Sequence, residues 1–343
     1  MGNFSAPYHC QRGIPLRSEI LDLLIIGAGP TGLSAADEAT KLGFKRVVVL
    51  ERESEAGGAP RHCGHLGFGL VDFKRLYTGP NYAERLRQLG DRFEVRCGHV
   101  ATKIAPGGRV EVSGPQGPYS IVAKRVLMAT GIYEKTCAQR LMPGARPFGI
   151  LTTGALQRFV YLHRQLPCLA PVVVGSQLVA YSTILTLRHM RAKPVAILEP
   201  EAHIRTSGLV ATGARLLFGV PTLSGTRICD IQNGNKVEAV TIEHQGSTRV
   251  LPCDGVVFTG DWIPEATLAR ASHIGIDPTT KGPQIDEDGR THDPQFFAAG
   301  NVAGSVRSAG ACAMAGRRVA RTIFREFHKQ LLQSEEKTPS LTI

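Results

Sequence analysis

Residues 21–51 carry the pattern that most constrains the fold: an apolar run from Leu21 to Ile26, the turn Gly27-Ala28-Gly29-Pro30-Thr31-Gly32, an Ala-rich segment to Leu42, and a second apolar run, Val47 to Leu50, ending in Glu51. The order predicts strand, turn, helix, strand and acid, which is the βαβ unit of dinucleotide-binding domains. Each glycine has its own task in such a turn. Gly27 permits the tight bend, Gly29 lets backbone approach a pyrophosphate, and Gly32 lets the helix pack on the strand. The helix N-terminus then faces the phosphate charge. An acid where Glu51 stands accepts hydrogen bonds from ribose hydroxyls and repels a 2′-phosphate. The unit predicts bound FAD.

A chain of 343 residues can bury a large core and divide into two domains. Its 38 glycines suit a fold with many βα turns. The net charge of +11 raises the question of nucleic acid. The Lys and Arg are dispersed, however, and no aromatic-basic recognition module occurs, so no nucleic-acid partner is expected. The basic balance suits an anionic cofactor, an acidic subunit or a membrane surface.

The eight cysteines lie far apart, without a C-x-x-C or a cluster of three or four. That excludes a self-contained iron–sulfur cluster, a zinc ribbon and a thioredoxin-type redox pair. Free thiols and the lack of a charged-then-apolar leader imply a cytoplasmic location, with any peripheral membrane contact made through partners. The uncharged run from Gln165 to Leu187 has the length of a membrane span, but Pro167, Pro171 and Gly175 interrupt it. It reads as strand, turn and helix, and no transmembrane segment is expected.

Residues 1–19 read as an irregular extension. The stretch Gly57 to Gly69 is too rich in glycine for a regular element and reads as a loop. A helix is expected from Thr78 through Leu89. Strands are expected around 93–100, 109–112 and 119–128, the last closing on Ala129-Thr130-Gly131. The prolines and glycines of 142–149 mark a boundary. From Pro171 the βαβ pattern restarts, with the strand Val172 to Val174, a helix to about Met190, and a strand ending in Glu199. Its phosphate turn is damaged, because Gln177 and Ala180 replace the second and third glycines. A side chain at 177 stands where a pyrophosphate must approach backbone, so this unit is expected to keep the fold and not bind NAD(P). The expected organisation is an FAD-binding domain of 20–145 and 254–332, an inserted NAD-like domain of 146–253, and a frayed tail at 333–343. The fold class is thus α/β, two Rossmann-like domains with the second inserted in the first.

With these residues in view, the chain resembles the two-dinucleotide-domain flavoproteins of the glutathione and thioredoxin reductase superfamily. Within it, the chain looks like the FAD-binding subunits of opine oxidase, hydrogen cyanide synthase, dye-linked proline or hydroxyproline dehydrogenases and the sarcosine oxidase alpha subunit. The likeness covers about residues 20–325. Its most specific parts are 129–134, 143–157, 297–302 and Ser308-Ala309-Gly310. It implies FAD contacts at Gly27, Ala28, Gly29, Pro30, Thr31, Gly32, Glu51, Arg52, Gly58, Val100, Thr130, Gly131, Gly300, Asn301, Ser308 and Ala309. Asn301 stands where an Asp usually touches the ribityl chain. Ser308 to Gly310 would bring a helix N-terminus to the pyrimidine end of the flavin, where its partial positive charge stabilises the anionic reduced form.

The resemblance also implies the chemistry: an amino-acid-like substrate (imino acid, opine or related amine) loses a hydride to flavin N5. Arg61, His62, Cys63 and His65 follow Gly58 closely. His62 or His65 could take a proton from a substrate ammonium and Arg61 could clamp a carboxylate, with Tyr133 and Glu134 as further candidates. No metal site is expected. Some relatives carry an iron–sulfur domain that this chain lacks, so other dehydrogenase subunits, holding an iron–sulfur relay or a second flavin, are expected as partners. Arg317, Arg318, Arg321 and Arg325 of the closing helix are candidate contacts. Two other functions fit the sequence less well: an NAD(P)H-dependent flavin reductase, and a non-catalytic FAD-carrying or assembly subunit.

Overall fold

The computed structural model describes residues 19–336. Strand β1 (Glu19–Ile26), helix α1 (Pro30–Leu42) and strand β2 (Val47–Glu51) form the first crossover, with Leu23 opposite Val47 in a parallel pair. β1 lies between β2 and the long strand Gly117–Met128, which it also pairs in parallel. Beyond β2 comes Glu94–Cys97, and Phe296–Ala298 returns to the other side of residues 126–128. Leu23, Leu24 and Ile25 have no exposed surface because both faces of this sheet are covered. Such covering is why the strand is continuously apolar rather than alternating.

Further along, helix α2 (Gly79–Arg87) borders the first sheet and α3 (Thr153–His163) opens the second unit. The second sheet is parallel throughout, in the order Ile150–Thr152, Val256–Phe258, Val172–Val174, Ala196–Glu199, Thr222–Ser224. Helices α3 and α4 (Leu178–His189) bury Leu156, Val160, Ile184 and Leu187 with Val173 and Val257 of the sheet. The antiparallel sheet of Thr226–Asn233, Val237–His244 and Ser247–Pro252 packs Ile228, Val240 and Ile242 with Val172 and Phe258. Helices α5 (Gly208–Phe218) and α6 (Thr267–Arg270) follow, and α7 (Ala309–Glu336) closes the fold. The two crossings between the units run side by side, as Ile132–Glu134 pairs with Trp262–Pro264. The second unit is therefore inserted in the first.

Several elements differ from expectation. The stretch from Gly57 is not wholly irregular. Gly57 and Gly58 take positive φ, Pro60 then starts a 3-10 turn over Ala59–His62, and Leu66–Phe68 pairs with Tyr77–Thr78. α7 runs to Glu336 instead of ending near Leu332, because Ser334, Glu335 and Glu336 offer nothing that breaks a helix. β1 already includes Glu19. The rest of the expected extension and tail, 1–18 and 337–343, lies outside the described residues. The run from Gln165 to Leu187 does contain strand, turn and helix, and no helix among the described residues is long and apolar enough to cross a membrane.

Candidate functional site

The turn after β1 is built by backbone. Gly27 has φ of 109°, and a Cβ there would stand 2.5 Å from the carbonyl oxygen of Ala129. A Cβ on Gly32 would collide with the Gly27 carbonyl, which is why the helix can sit so close to the turn. Ala28 is buried and both its backbone groups are engaged, its N–H donating to Glu51 Oε2 at 2.9 Å and its carbonyl accepting from Gly57 at 2.8 Å.

Gly29 is different. Its φ of −83° is open to any residue, and a Cβ on it would meet nothing nearer than Gly58 Cα at 3.9 Å. The protein alone does not require glycine here. Gly29 is also the N-cap of α1, and no N-cap side chain bonds the first-turn N–H groups of the helix. Open space over bare backbone at an uncapped helix N-terminus is what a pyrophosphate occupies. These residues fit FAD.

Glu51 supplies the other end of that fit. It is 7% exposed, and its two oxygens accept the N–H groups of Ala28 and, at 3.0 Å, Glu53. Each oxygen keeps a lone pair for a ribose hydroxyl. Val100 opens a strand beside this tip, since the His99 N–H donates to the Glu51 carbonyl at 2.9 Å. Arg52 is mostly exposed and lies 3.8 Å from Glu265.

The remaining expected contacts are more committed to the protein itself. Thr31 is buried, and a Cβ on Gly300 would collide with its hydroxyl. Thr130 donates from Oγ1 to the Glu265 carbonyl at 2.6 Å, while Gly131, at φ of 81°, accepts from Glu265 N–H. Asn301 spends its amide on Arg307, accepting its N–H at 2.8 Å and donating to its carbonyl at 3.2 Å. That closes the loop before α7. Ser308 stands at the start of α7, its hydroxyl accepting from Ala311 at 3.4 Å and its carbonyl from Cys312, with Ala309 half-buried beside it.

The polar group after Gly58 is held between the two units. Arg61 lies 3.7 Å from Glu53 and 3.2 Å from Glu55, so its charge is already balanced. His62 has its pKa lowered to about 4 by lost solvation first, then by the charges of Arg158 and Arg61, and it is neutral at neutral pH. Cys63 donates to Gln157 Oε1 of α3, and burial pushes its thiol up to about 12. A thiol so placed is no nucleophile. His65 donates from Nδ1 to the Leu66 carbonyl at 2.8 Å, which leaves the lone pair on Nε2. Glu134 is buried, accepting from Gly154 at 2.7 Å and Gly260 at 3.1 Å; burial raises its pKa against those bonds. Tyr133 stays half-buried on the crossing strand.

Sequence reasoning missed Glu53, Arg158 and Gln157. Arg158 of α3 grips Glu53 with two bonds of 2.8 and 2.9 Å, tying the loop to the inserted unit. The run of acids after Glu51 was the available signal. Among the described residues no group of three metal-ligating side chains forms, and seven cysteines are free thiols.

In the second unit the expected phosphate turn is occupied by protein. A Cβ on Gly260 would collide with Gln177 Oε1, so the Gln177 side chain lies against that glycine. Arg205 reaches towards Glu199 at 3.8 Å and Asp261 at 3.7 Å, and Arg140 binds the other Asp261 oxygen at 2.5 Å.

Comparison with known proteins agrees with this architecture. Residues 21–316 match the family model described as pyridine nucleotide-disulphide oxidoreductase. An opine oxidase subunit from Rhizobium meliloti is 26% identical over 334 residues, covering 87% of this chain and 61% of that protein. The alpha subunit of sarcosine oxidase from Rhizobium meliloti (strain 1021) is 25% identical, covering 86% of this chain and 29% of the other. The chain thus spans less than two thirds of these relatives. Thioredoxin reductase of T. acidophilum superposes with a TM-score of 0.75 at 21% identity, over 90% of this chain and 99% of that one, which establishes the shared fold. With the βαβ turn, the open cradle at Gly29 and the match over most of its length, the chain belongs to the pyridine nucleotide-disulphide oxidoreductase family.

Proposed function

We propose that this chain is the FAD-binding subunit of a dehydrogenase complex that oxidises an amino-acid-like substrate, an imino acid, opine or related amine, and hands the electrons to partner subunits. The observation that carries the reading is the contrast between the two units. The first keeps an open phosphate cradle at Gly29, whereas in the second Gln177 lies against Gly260 where a nicotinamide dinucleotide would pass. Cys63, on the site loop, is a free thiol held protonated. Both observations argue against nicotinamide and dithiol chemistry. Relatives named as opine oxidase and sarcosine oxidase subunits support the amine class.

Bound FAD supplies the hydride acceptor at N5. The chain's residues do the rest. Gly27, Gly29, Gly32 and Gly58 would seat the cofactor, Glu51 would hold its ribose, and Ser308 at the start of α7 would help to hold it. The free Nε2 of His65 takes a proton from the substrate ammonium, whereas His62, with its pKa lowered to about 4 by burial and the charges of Arg158 and Arg61, is too weak a base for that step. Arg61 is less suited to bind a carboxylate, because Glu53 and Glu55 already balance its charge.

A second reading, an NAD(P)H-dependent flavin reductase, is favoured by one observation: Glu199 is retained at the ribose position of the inserted unit. Anaerobic stopped-flow on the FAD-loaded protein decides. Flavin bleaching by an imino acid, opine or secondary amine, with none by NADH or NADPH, is the expected result. Bleaching by a nicotinamide would overturn the proposal, and bleaching by neither would reduce the chain to a carrier or assembly role.

A further inference from the structure

Leu66, Leu70, Val71 and Leu76 are 49–61% exposed on one hairpin, whose strands Leu66–Phe68 and Tyr77–Thr78 pair with each other. The hairpin abuts the start of α7: a Cβ on Gly310 would stand 2.8 Å from Val71 Cβ. One turn on, Met314 is 45% exposed, and Val306 just before the helix is 60% exposed. An apolar surface of this kind on a folded chain marks an interaction site.

The charges around it are the second observation. Lys74, Arg75, Arg307, Arg317 and Arg318 lie on the same hairpin and helix start. Among the described residues none of the five pairs with a carboxylate. Lys74 bonds the Val71 carbonyl, Arg307 the Ser305 hydroxyl and Arg317 the Met314 sulfur. Elsewhere arginines pair within the chain, as Arg92 with Asp37, Arg158 with Glu53, Arg227 with Glu243 and Arg321 with Glu38. Arg321, expected from sequence to meet a partner, is thus occupied.

We propose that the 66–76 hairpin and the 306–318 segment together form the docking surface for a protein partner that presents an apolar centre rimmed by Asp and Glu. Four of the five cations are Arg. Protein interfaces favour Arg and disfavour Lys, whereas a bilayer-seeking surface draws on Lys with exposed Trp or Phe anchors, and none is exposed here. The surface adjoins Ser308 and Ala309 at the start of α7, which the proposed function assigns to FAD binding. This inference rests on the reading of the chain as one subunit of a complex.

The test begins with affinity isolation of the tagged, FAD-loaded chain from its own cells, identification of any polypeptide recovered in stoichiometric amount, and reconstitution of the pair. Hydrogen exchange and binding are then measured for wild type, Leu76→Glu and the pair Arg75→Glu, Arg318→Glu. Slowed exchange confined to 66–76 and 306–318, and a Kd at least tenfold weaker in both variants with FAD content and Tm unchanged, is the expected result. A partner that binds all three proteins equally and protects other segments overturns the docking surface while the subunit reading stands. Recovery of no stoichiometric partner, with full turnover by the chain alone, removes the subunit reading itself. Sedimentation of wild type, but not of the variants, with phosphatidylglycerol vesicles would assign the surface to a membrane and overturn the proposal.

Discussion

Glu199 holds Ser176 through one oxygen that accepts both its N–H, at 2.8 Å, and its hydroxyl, at 2.5 Å. The backbone half of that arrangement repeats the bond from Ala28 N–H to Glu51 in the first unit, and the second oxygen of each acid takes the N–H two residues on, at 3.0 Å, from Glu53 and from Glu201. The acid at the end of the second strand therefore fastens the turn in both units, whatever nucleotide follows. Ser176 Oγ also accepts from Arg205 N–H at 2.8 Å. Replacing it by Ala leaves a buried carboxylate short of one donor. Ser176→Ala is expected to lower stability by about 1.5–3 kcal/mol, the range for a hydrogen bond to a charged group, with FAD content unchanged. Urea unfolding checks the first and absorbance the second; equal midpoints for the two proteins would remove the latch.

The glycines of the first turn should separate folding from cofactor binding. The Cβ of Gly29→Val meets no protein atom closer than an ordinary contact and the residue keeps an allowed φ, so the apoprotein should fold with a Tm near wild type and purify without FAD. Gly27→Val forces a side chain against the Ala129 carbonyl at a left-handed φ and should fail to fold. A yellow Gly29→Val protein at full occupancy would move the pyrophosphate elsewhere.

How much is legible in the sequence depends on range. The Gly27 turn, its helix and Glu51 are readable because their roles are local and set by backbone shape. The damaged turn at Gln177 is readable for the same reason, though not that Gln177 comes to rest on Gly260. The Gly57 to Gly69 stretch reads as loop because glycine density conceals a strand whose partner, Tyr77–Thr78, lies across a hairpin. Arg61, His62 and Cys63 are legible as a polar cluster, but not as an inter-unit contact, since Arg158 and Gln157 come from α3, about a hundred residues away. That the Asn301 amide bridges the Arg307 backbone is not legible at all, since it depends on the loop before α7.

The pair between Arg158 and Glu53 should show a coupling of about 0.5–1 kcal/mol in a double-mutant cycle, because both groups are partly exposed and solvent screens them. Arg158 holds the Glu53 carboxyl below its usual 4.5. The pair's stabilisation is therefore full above 4.5 and lost as pH falls through the lower folded value. Salt at about 0.5 M, where the screening length is only a few ångströms, should reduce it. A coupling unchanged by salt would mean that packing carries the contact.

His62 acts in the same direction through a different group. Its folded pKa of about 4 lies below the ordinary 6.5, so between those values the unfolded chain binds a proton that the folded chain refuses. Stability should fall as pH drops from 6.5 to 4, and His62→Gln should flatten that part of the curve. Removing Arg158 takes away a nearby positive charge, so the His62 ring in Arg158→Met should titrate at a higher pH. Proton NMR of the imidazole checks both; a ring that titrates near 6.5 in wild type would place His62 in open solvent.

The last prediction concerns the inserted unit. A nicotinamide dinucleotide would need the space over residue 177 for its pyrophosphate and the free face of Glu199 for its ribose. Gln177 extends over the first and packs on Gly260, while Arg205 leans from Glu199 towards Asp261, which Arg140 fixes from the other side. Displacing these groups opposes binding without any compensating contact. Calorimetry with NADH and NADPH should therefore show no heat at about 0.1 mM ligand, within the range of affinities common for enzyme substrates. Gln177→Gly, which clears the turn but leaves the Arg205 and Asp261 contacts, should gain at most weak binding; Gln177→Gly combined with Arg205→Ala should gain more, because Glu199 is then free for the ribose. Micromolar binding of either nucleotide to the wild-type chain would show that Gln177 swings aside, and the inserted unit would then be a working electron entry.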